Sequence, residues 1–170
     1  TLNGEYYESF GEFDAEAASG WMVKQNDWFI NMGASEFSVE DGDTIEWLYT
    51  CRLGADIGCD WLNPSAEIAG IIFKSNYGTL SPAFDKSAEE YTYTVSSSVR
   101  SICLRAELEN YWSKVTYKSE GKTYKPNQAI PVSDGTVITL ESSFAEFAGG
   151  SASDTDKISI TIKVTDPEKE

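Results

Sequence analysis

Residues 157–164 have the sequence KISITIKV, and this alternation of apolar and polar side chains predicts the fold class. Successive side chains of a β-strand point to opposite faces, so one face would be aliphatic and the other polar. A half-buried antiparallel sheet requires this period of two. Residues 44–51, 91–95 and 102–108 share the pattern. No window of useful length shows a sustained helical stripe, so we predict a mainly β chain.

The same alternation predicts which side chains form the core. In the second half of the chain, the inward-facing residues of two strands should share one sandwich core, because a one-residue slip would turn them all to solvent. These residues are Ile102, Leu104, Ala106, Ile158, Ile160 and Ile162. In the first half, residues 44–51 place Trp47 on one face with Ile45, Tyr49 and Cys51. We expect Trp47 in the core.

Two aspartate-glycine pairs mark turns that lead into strands. Asp41-Gly42 and Asp134-Gly135 each lie directly before a strand-like segment. Glycine tolerates the positive φ of tight turns between strands, so we predict a turn at each pair.

The charge of the chain excludes several classes of partner. Lysine and arginine number 13 and aspartate and glutamate 28, which gives a formal charge of −15. Such a surface repels nucleic-acid phosphates and anionic lipids, so we predict binding to neither. No stretch approaches the roughly 20 apolar residues of a membrane helix, and we expect no membrane insertion. The chain starts at Thr1 without a signal peptide, so we expect that upstream sequence was removed or that the segment was excised.

Histidine is absent, which argues against an enzyme. Histidine is the usual general base near neutral pH and the commonest zinc ligand. Three cysteines cannot form a four-thiolate site. We therefore predict no catalytic residues, no catalytic metal and no cofactor. Asp41, Asp43, Asp56 and Asp60 could collect a calcium ion, but their spacing matches no known loop, and Asp41 is more simply a turn residue.

The composition changes near residues 62–80. Four of the five tryptophans precede this stretch, and strands rich in serine, threonine and lysine follow it. We predict a first domain at residues 1–76, a second at residues 77–166, and a polar tail or linker at residues 167–170. Residues 71–74, IIFK, would form the last strand of the first domain or a connecting strand.

Residues 20–58 carry an ordered set of motifs: GWMV at 20–23, NMGA at 31–34, EDGDTIEW at 40–47 and CRLGADIG at 51–58. In this respect residues 1–62 resemble a bacterial uncharacterised domain related to the C-terminal domain of transcobalamin and intrinsic factor. The resemblance implies a β-grasp-like fold. Members usually carry two further strands and a helix ahead of the region matched by Tyr6 to Ser9, so the first domain would be partial. Its open apolar face would then favour self-association.

The second half of the chain resembles another family. Three segments show the resemblance: LSPAFD at residues 80–85, YTYTV at residues 91–95 and KISITI at residues 157–162. Residues 79–164 are similar to a cadherin-like β-sandwich repeat of bacterial surface proteins. The resemblance implies an antiparallel, immunoglobulin-like sandwich that acts as a spacer or adhesion module.

The aromatic residues of the first domain supply the candidate ligand-binding residues. Trp28 and Phe29 follow a predicted hairpin tip, so one of them should face solvent. Aromatic faces stack on sugars and on flat macrocycles. The transcobalamin resemblance implies that Trp21, Met22 and Val23 face a ligand, which makes Trp21 a candidate cobalamin contact.

Cys51 and Cys59 are separated by seven residues that include two glycines. A disulfide between them would close a short loop and stabilise the chain by about 2–3 kcal/mol. Two reduced thiols are the alternative, and the sequence leaves both open. Cys103 should face solvent and remain unpaired.

Two functions fit these features. The first is a non-catalytic extracellular binding, adhesion or spacer module of a bacterial cell-surface protein, whose partner is a surface protein or glycan. The alternative is capture of a small ligand by the first domain, with cobalamin or another corrinoid as the candidate. Both imply a secreted or surface-attached protein.

Overall fold

The structure, a computed structural model, describes residues 17–30, 32–33, 35–60, 62–145 and 152–166. Tyr6 to Ser9, Asn31 and Ala34 of the motif at 31–34, and the tail at 167–170 lie outside these residues. Within the described part, thirteen strands and one short 3₁₀-helix, Ala55–Ile57, account for the regular structure. The strands are β1 (Gly20–Gln25), β2 (Trp28–Phe29), β3 (Ile45–Thr50), β4 (Ile68–Phe73), β5 (Gly78–Ser81), β6 (Glu90–Ser96), β7 (Ser101–Ile102), β8 (Leu104–Leu108), β9 (Lys114–Ser119), β10 (Lys122–Tyr124), β11 (Ile130–Pro131), β12 (Val137–Ala145) and β13 (Ala152–Thr165).

The first unit is a three-stranded antiparallel sheet in the order β2-β1-β3. β1 and β2 are joined by Asn26 and Asp27, both with positive φ, of 52° and 64°. Positive φ at both central residues is the requirement of a two-residue turn whose twist matches its strands. The described residues contain no α-helix. The β-grasp detail of the transcobalamin resemblance therefore stays a prediction.

The second unit is a β-sandwich. One layer is a six-stranded sheet in the order β10-β9-β12-β13-β6-β5, and the other contains the pairs β4-β8 and β11-β7. β7 and β8 follow each other along the chain, so they line the second layer together. The prediction of a mainly β chain with a sandwich is confirmed.

The sandwich core lies between these two layers. Ile102, Leu104 and Ala106 project into it from one layer, and Ile158, Ile160 and Ile162 from the other. None of the six is more than 3% exposed, so the predicted core is confirmed. Between the layers, the rings of Phe73 and Tyr93 stack with their centroids 4.0 Å apart. Their stacking adds to the burial of the aliphatic side chains.

One strand pair departs from the antiparallel arrangement that we expected. β13 pairs with β6 in parallel, with Ile160 opposite Tyr91 and Ile162 opposite Tyr93. Alternation fixes the buried face of a strand but not its direction, since both directions have a side-chain period of two. The long segment between the two strands leaves room for the crossover that a parallel pair needs.

β4 belongs to the sandwich. It pairs antiparallel with β8, with Ile71 opposite Ala106 and Phe73 opposite Leu104. Residues 71–74 are therefore neither the last strand of the first unit nor a connector. The continuous apolar run concealed this, because a sheet strand that is covered on both faces also lacks alternation.

Both aspartate-glycine turns are present. Gly42 and Gly135 have φ of 82° and 80°, and no heavy atom lies within 4 Å of a Cβ built at either position. A residue with a side chain would have room at either position, and only the positive φ would disfavour it.

Candidate functional site

Two tryptophans are exposed on one face of the first sheet. Trp21 in β1 is 48% exposed and Trp47 in β3 is 58% exposed. Trp21 is opposite Tyr49, and Val23 is opposite Trp47, so all four side chains lie on the same face. The rings of Trp21 and Tyr49 meet edge to face with centroids 5.2 Å apart. We call Trp21, Trp47 and Tyr49 the aromatic face.

The exposure of Trp47 overturns the expectation that it is a core residue. Residues 44–51 alternate, but the opposite face carries Leu48 and Thr50, and Thr50 is 3% exposed. The sheet buries the face of Thr50 and Phe29. The strand pattern could not reveal this, because both of its faces hold side chains that tolerate burial.

Phe29 and Trp28 lie at the junction with the sandwich. Phe29 is buried, and its backbone N–H donates to the carbonyl of Tyr111 at 2.9 Å. Trp28 is half-buried, and its indole Nε1 donates to the carbonyl of Trp112 at 3.1 Å. Lys114 Nζ lies 4.8 Å from the Trp28 ring centroid, within the range of a cation–π contact. Burial contradicts a ligand-contact role for Phe29, and these contacts direct Trp28 towards the sandwich.

Met22 also lies away from the aromatic face. It is half-buried and pairs with Leu48 on the other side of the sheet. A Cβ built on Gly54 would come within 3.1 Å of its sulfur, so Met22 packs against the loop that follows β3. Of the candidates Trp21, Met22, Trp28 and Phe29, Trp21 alone is exposed. Trp28 is opposite Gln25 and so lies on the same side of the sheet as Trp21, but it is half-buried against the sandwich. When residues 20–25 and 45–50 are paired as antiparallel strands, Trp47 lies on the same face as Trp21 and becomes a candidate.

Asp43 ties the first unit to the sandwich. Its carboxylate accepts hydrogen bonds from Asn26 Nδ2 at 2.7 Å, Gln25 Nε2 at 2.8 Å and Glu40 N at 2.8 Å. Lys125 Nζ of the sandwich lies 2.8 Å from Asp43 Oδ1. These donors, with Asn26 the largest contributor, hold the pKa of Asp43 well below its usual value. We call the Asp43–Lys125 pair and its three other donors the Asp43 clamp.

A cleft of about 390 Å³ lies beside the clamp, between the two units. Its lining includes Trp28, Glu40, Lys114 and Tyr124. The charged groups there already interact with each other or with an aromatic ring, as Lys114 does with Trp28. The cleft therefore serves as the joint between the units.

The other aspartates that could collect calcium serve turns. Asp56 accepts hydrogen bonds from the Thr50 hydroxyl and the Cys51 backbone N–H. Asp60 accepts from the Leu62 N–H and the Asn63 side chain. Among the described residues, no group of three or more potential ligands that could hold a metal ion comes together.

All three cysteines are free thiols in the structure. Cys59 is fully buried, and burial together with the nearby Asp60 charge raises its pKa to about 12. Cys51 and Cys103 are half-buried. A buried, protonated thiol is a poor nucleophile.

In the part of the chain that the structure describes, no helix is long and apolar enough to cross a membrane.

Comparison with known families supports both resemblances in part. A model of a domain family of unknown function, DUF4430, matches residues 3–50, and the cadherin-like β-sandwich domain matches residues 71–167, more than half of the chain. The first match agrees with the transcobalamin-like resemblance and leaves its β-grasp detail untested. No curated protein and no solved structure matches the chain. With its sandwich core and this match, the chain belongs to the family of cadherin-like β-sandwich domains.

Proposed function

We propose that the chain is a non-catalytic binding module of a bacterial cell-surface protein, which binds an extracellular glycan through its aromatic face. The cadherin-like sandwich supports a role as a surface adhesion or spacer module. The first unit, tied to the sandwich by the Asp43 clamp, would present the contact surface.

The observation that carries the proposal is the exposure of Trp21 and Trp47 on neighbouring strands. Burying apolar surface is worth about 25 cal/mol per Å², so an uncovered pair of indoles has a strong tendency to acquire a partner. Exposed apolar patches of this kind mark binding sites.

A sugar suits this surface. The electron-rich faces of indole rings attract the polarised C–H groups on one side of a pyranose ring. The chain is strongly acidic, with 14 acidic and three basic residues among residues 1–76, so a neutral glycan avoids the repulsion that an anionic polymer would meet near the first unit.

The chemistry of the described residues supports a binding role over catalysis. The chain has no histidine, and Asp56 and Asp60 of the first unit accept hydrogen bonds from turn donors. General acid–base catalysis needs a titratable group within hydrogen-bond reach of a substrate. Elemental analysis should accordingly find no stoichiometric zinc, and its detection would contradict the non-catalytic assignment.

Capture of cobalamin or another corrinoid is the second candidate. The observation in its favour is the exposure of Trp21, the residue that the transcobalamin-like resemblance places against a ligand. A flat macrocycle could stack on the same rings.

The two candidates are separated by titration. Neutral oligosaccharides are screened by quenching of tryptophan fluorescence, and cobalamin is titrated by its visible absorbance. Glycan binding that is lost in Trp21→Ala and Trp47→Ala, and retained in Val137→Ala, supports the proposal. Val137 is a matched control because it is an exposed apolar residue of the sandwich.

Cobalamin binding without glycan binding would replace the first candidate by the second. Binding of neither ligand, or glycan binding that survives both tryptophan substitutions, would refute the assignment of the aromatic face.

A further inference from the structure

A second concave surface lies on the sandwich. It is a groove of about 530 Å³ between the end of β4 and the segment that leads into β8. It is lined by Lys74, Ser75, Tyr77, Ser98, Val99, Arg100, Ser101 and Cys103, and we call it the cationic groove. No carboxylate is among these residues, although acidic residues outnumber basic ones 28 to 13 in the chain.

The two cations of this groove are free of ion pairs within the described residues. The ion pairs found there use other cations, namely Lys24, Lys86, Lys118, Lys125 and Lys157. Arg100 donates one hydrogen bond from Nη1 to the Ser97 carbonyl at 2.7 Å. A guanidinium has five N–H donors, so most of those of Arg100 are available to a ligand.

Backbone hydrogen bonds hold the main chain at Lys74 and Arg100, whose side chains are exposed. The Lys74 N–H donates to the carbonyl of Cys103 at 2.9 Å, and the Arg100 carbonyl accepts from the N–H of Val132 at 3.0 Å. Both residues therefore project from strand ends that are held in the second layer of the sandwich. A site on fixed elements loses less entropy when it binds.

We propose that the cationic groove binds an anionic group of an extracellular polymer: a sulfate, a phosphate or a carboxylate. Arg100 would bind two oxygens of the oxyanion through its planar fork, and Lys74 would add a point charge. Hydroxyl donors in the groove come from Ser75 and Ser101, whereas the Ser98 hydroxyl is hydrogen-bonded to Ser96 Oγ at 2.6 Å.

The net charge of −15 does not prevent such binding. At physiological ionic strength, exposed charges are screened beyond about 8 Å, so the groups that line a groove determine its local preference. The proposal concerns a site separate from the aromatic face. The groove lies at the end of the β4–β8 ladder opposite the loop of residues 110–113, which carries junction contacts.

The experiment compares charged and neutral probes of one size. A sulfated disaccharide, a glucuronate-containing disaccharide and their neutral counterpart, together with inorganic phosphate, are titrated and followed by amide chemical shifts. The anionic probes should shift the amides of residues 74–75 and 98–103, and the neutral probe should leave these amides unshifted even where it binds the aromatic face. The order of the three anions identifies which group is preferred.

Charge substitutions test the residues. Arg100→Gln and Lys74→Gln should each weaken anion binding about tenfold, as expected for one charge-assisted hydrogen bond. Lys163→Gln, which removes one exposed charge from β13, should change it less than twofold. Trp21→Ala and Trp47→Ala should leave it unchanged, so a failure here is distinguishable from a failure of the glycan proposal.

Equal weakening by Lys163→Gln and Arg100→Gln would show diffuse attraction only and overturn the groove assignment. So would the absence of amide shifts at the groove with every anion.

Discussion

Asp43→Asn removes the charge of the Asp43 clamp while keeping the size of the side chain. In the structure, Oδ1 accepts from Asn26 and lies 2.8 Å from Lys125 Nζ, while Oδ2 accepts from Gln25 and the Glu40 N–H. Asparagine has one oxygen and one NH₂ group. Whichever way the amide turns, two of the four donors then face another donor.

The expected cost follows from this count. Two hydrogen bonds to a charged, partly buried group are lost, at about 1–1.5 kcal/mol each, so the free energy of unfolding should fall by about 2–3 kcal/mol. The side chain of Asp43 is 3% exposed, so water cannot replace the lost partners easily. Glu40→Gln is the matched control. The Glu40 side chain is 78% exposed and 3.8 Å from the same Lys125 Nζ, so its removal should cost less than about 0.5 kcal/mol.

The assay is urea unfolding of the full chain, followed by tryptophan fluorescence, because Trp28 lies at the junction that the clamp holds. The pH dependence adds a second readout. The folded-state pKa of Asp43 lies below the ordinary aspartate pKa of 3.8. The stabilisation is therefore fully present above about pH 3.8 and is lost as the pH falls through the folded-state pKa. The difference between Asp43→Asn and the unmodified chain should shrink in that range. A loss no larger than that of Glu40→Gln at neutral pH would refute the clamp.

Three further predictions concern the core, the aromatic face and the thiols. Ile160→Ala should destabilise the sandwich by about 2–5 kcal/mol in thermal or urea unfolding, because Ile160 is fully buried. The outward-facing Thr161→Ala should cost less than about 0.5 kcal/mol. Equal costs would show that the assigned register is wrong. Without glycan, light scattering should show self-association through the exposed aromatic face, which Trp47→Ala should weaken and a bound glycan should suppress; a strictly monomeric chain would contradict self-association. A thiol reagent at pH 8 should label Cys103 readily and Cys59 only after unfolding, since burial raises the pKa of Cys59 to about 12. Rapid labelling of Cys59 in the folded chain would contradict its burial.

The sandwich core could be predicted from the sequence because one face of its strands is unambiguous. Ile158, Ile160 and Ile162 alternate with serine and threonine, so only one register buries the aliphatic side chains. The direction of β13 relative to β6 could not be predicted, since alternation is the same in both directions. The partner of β4 could not be predicted either, because a continuous apolar run specifies burial without a pairing partner.

The candidate site was predicted less well, for a related reason. Residues 44–51 carry large side chains on both faces, so the choice of buried face depends on where the sandwich lies and not on the strand itself. The family resemblance identifies Trp21. The expectation that Trp47 is a core residue is wrong, because its face of the strand is the one that leaves it exposed. The contacts of Trp28 and Phe29 with Tyr111 and Trp112 join residues more than 80 positions apart, and no local pattern indicates such pairs.

The junction determines the direction in which the aromatic face points. A three-stranded sheet has two faces, and Phe29 and Thr50 show that one of them is buried. Trp21 and Trp47 lie on the other face, because side chains alternate along each strand. On that face Val23, opposite Trp47, is buried, and the two indoles stay exposed. The Asp43 clamp holds this arrangement through Lys125 of the sandwich. A partner of the aromatic face therefore meets rings carried on paired strands, and the ordering cost of binding is lower than for aromatic side chains on a free loop.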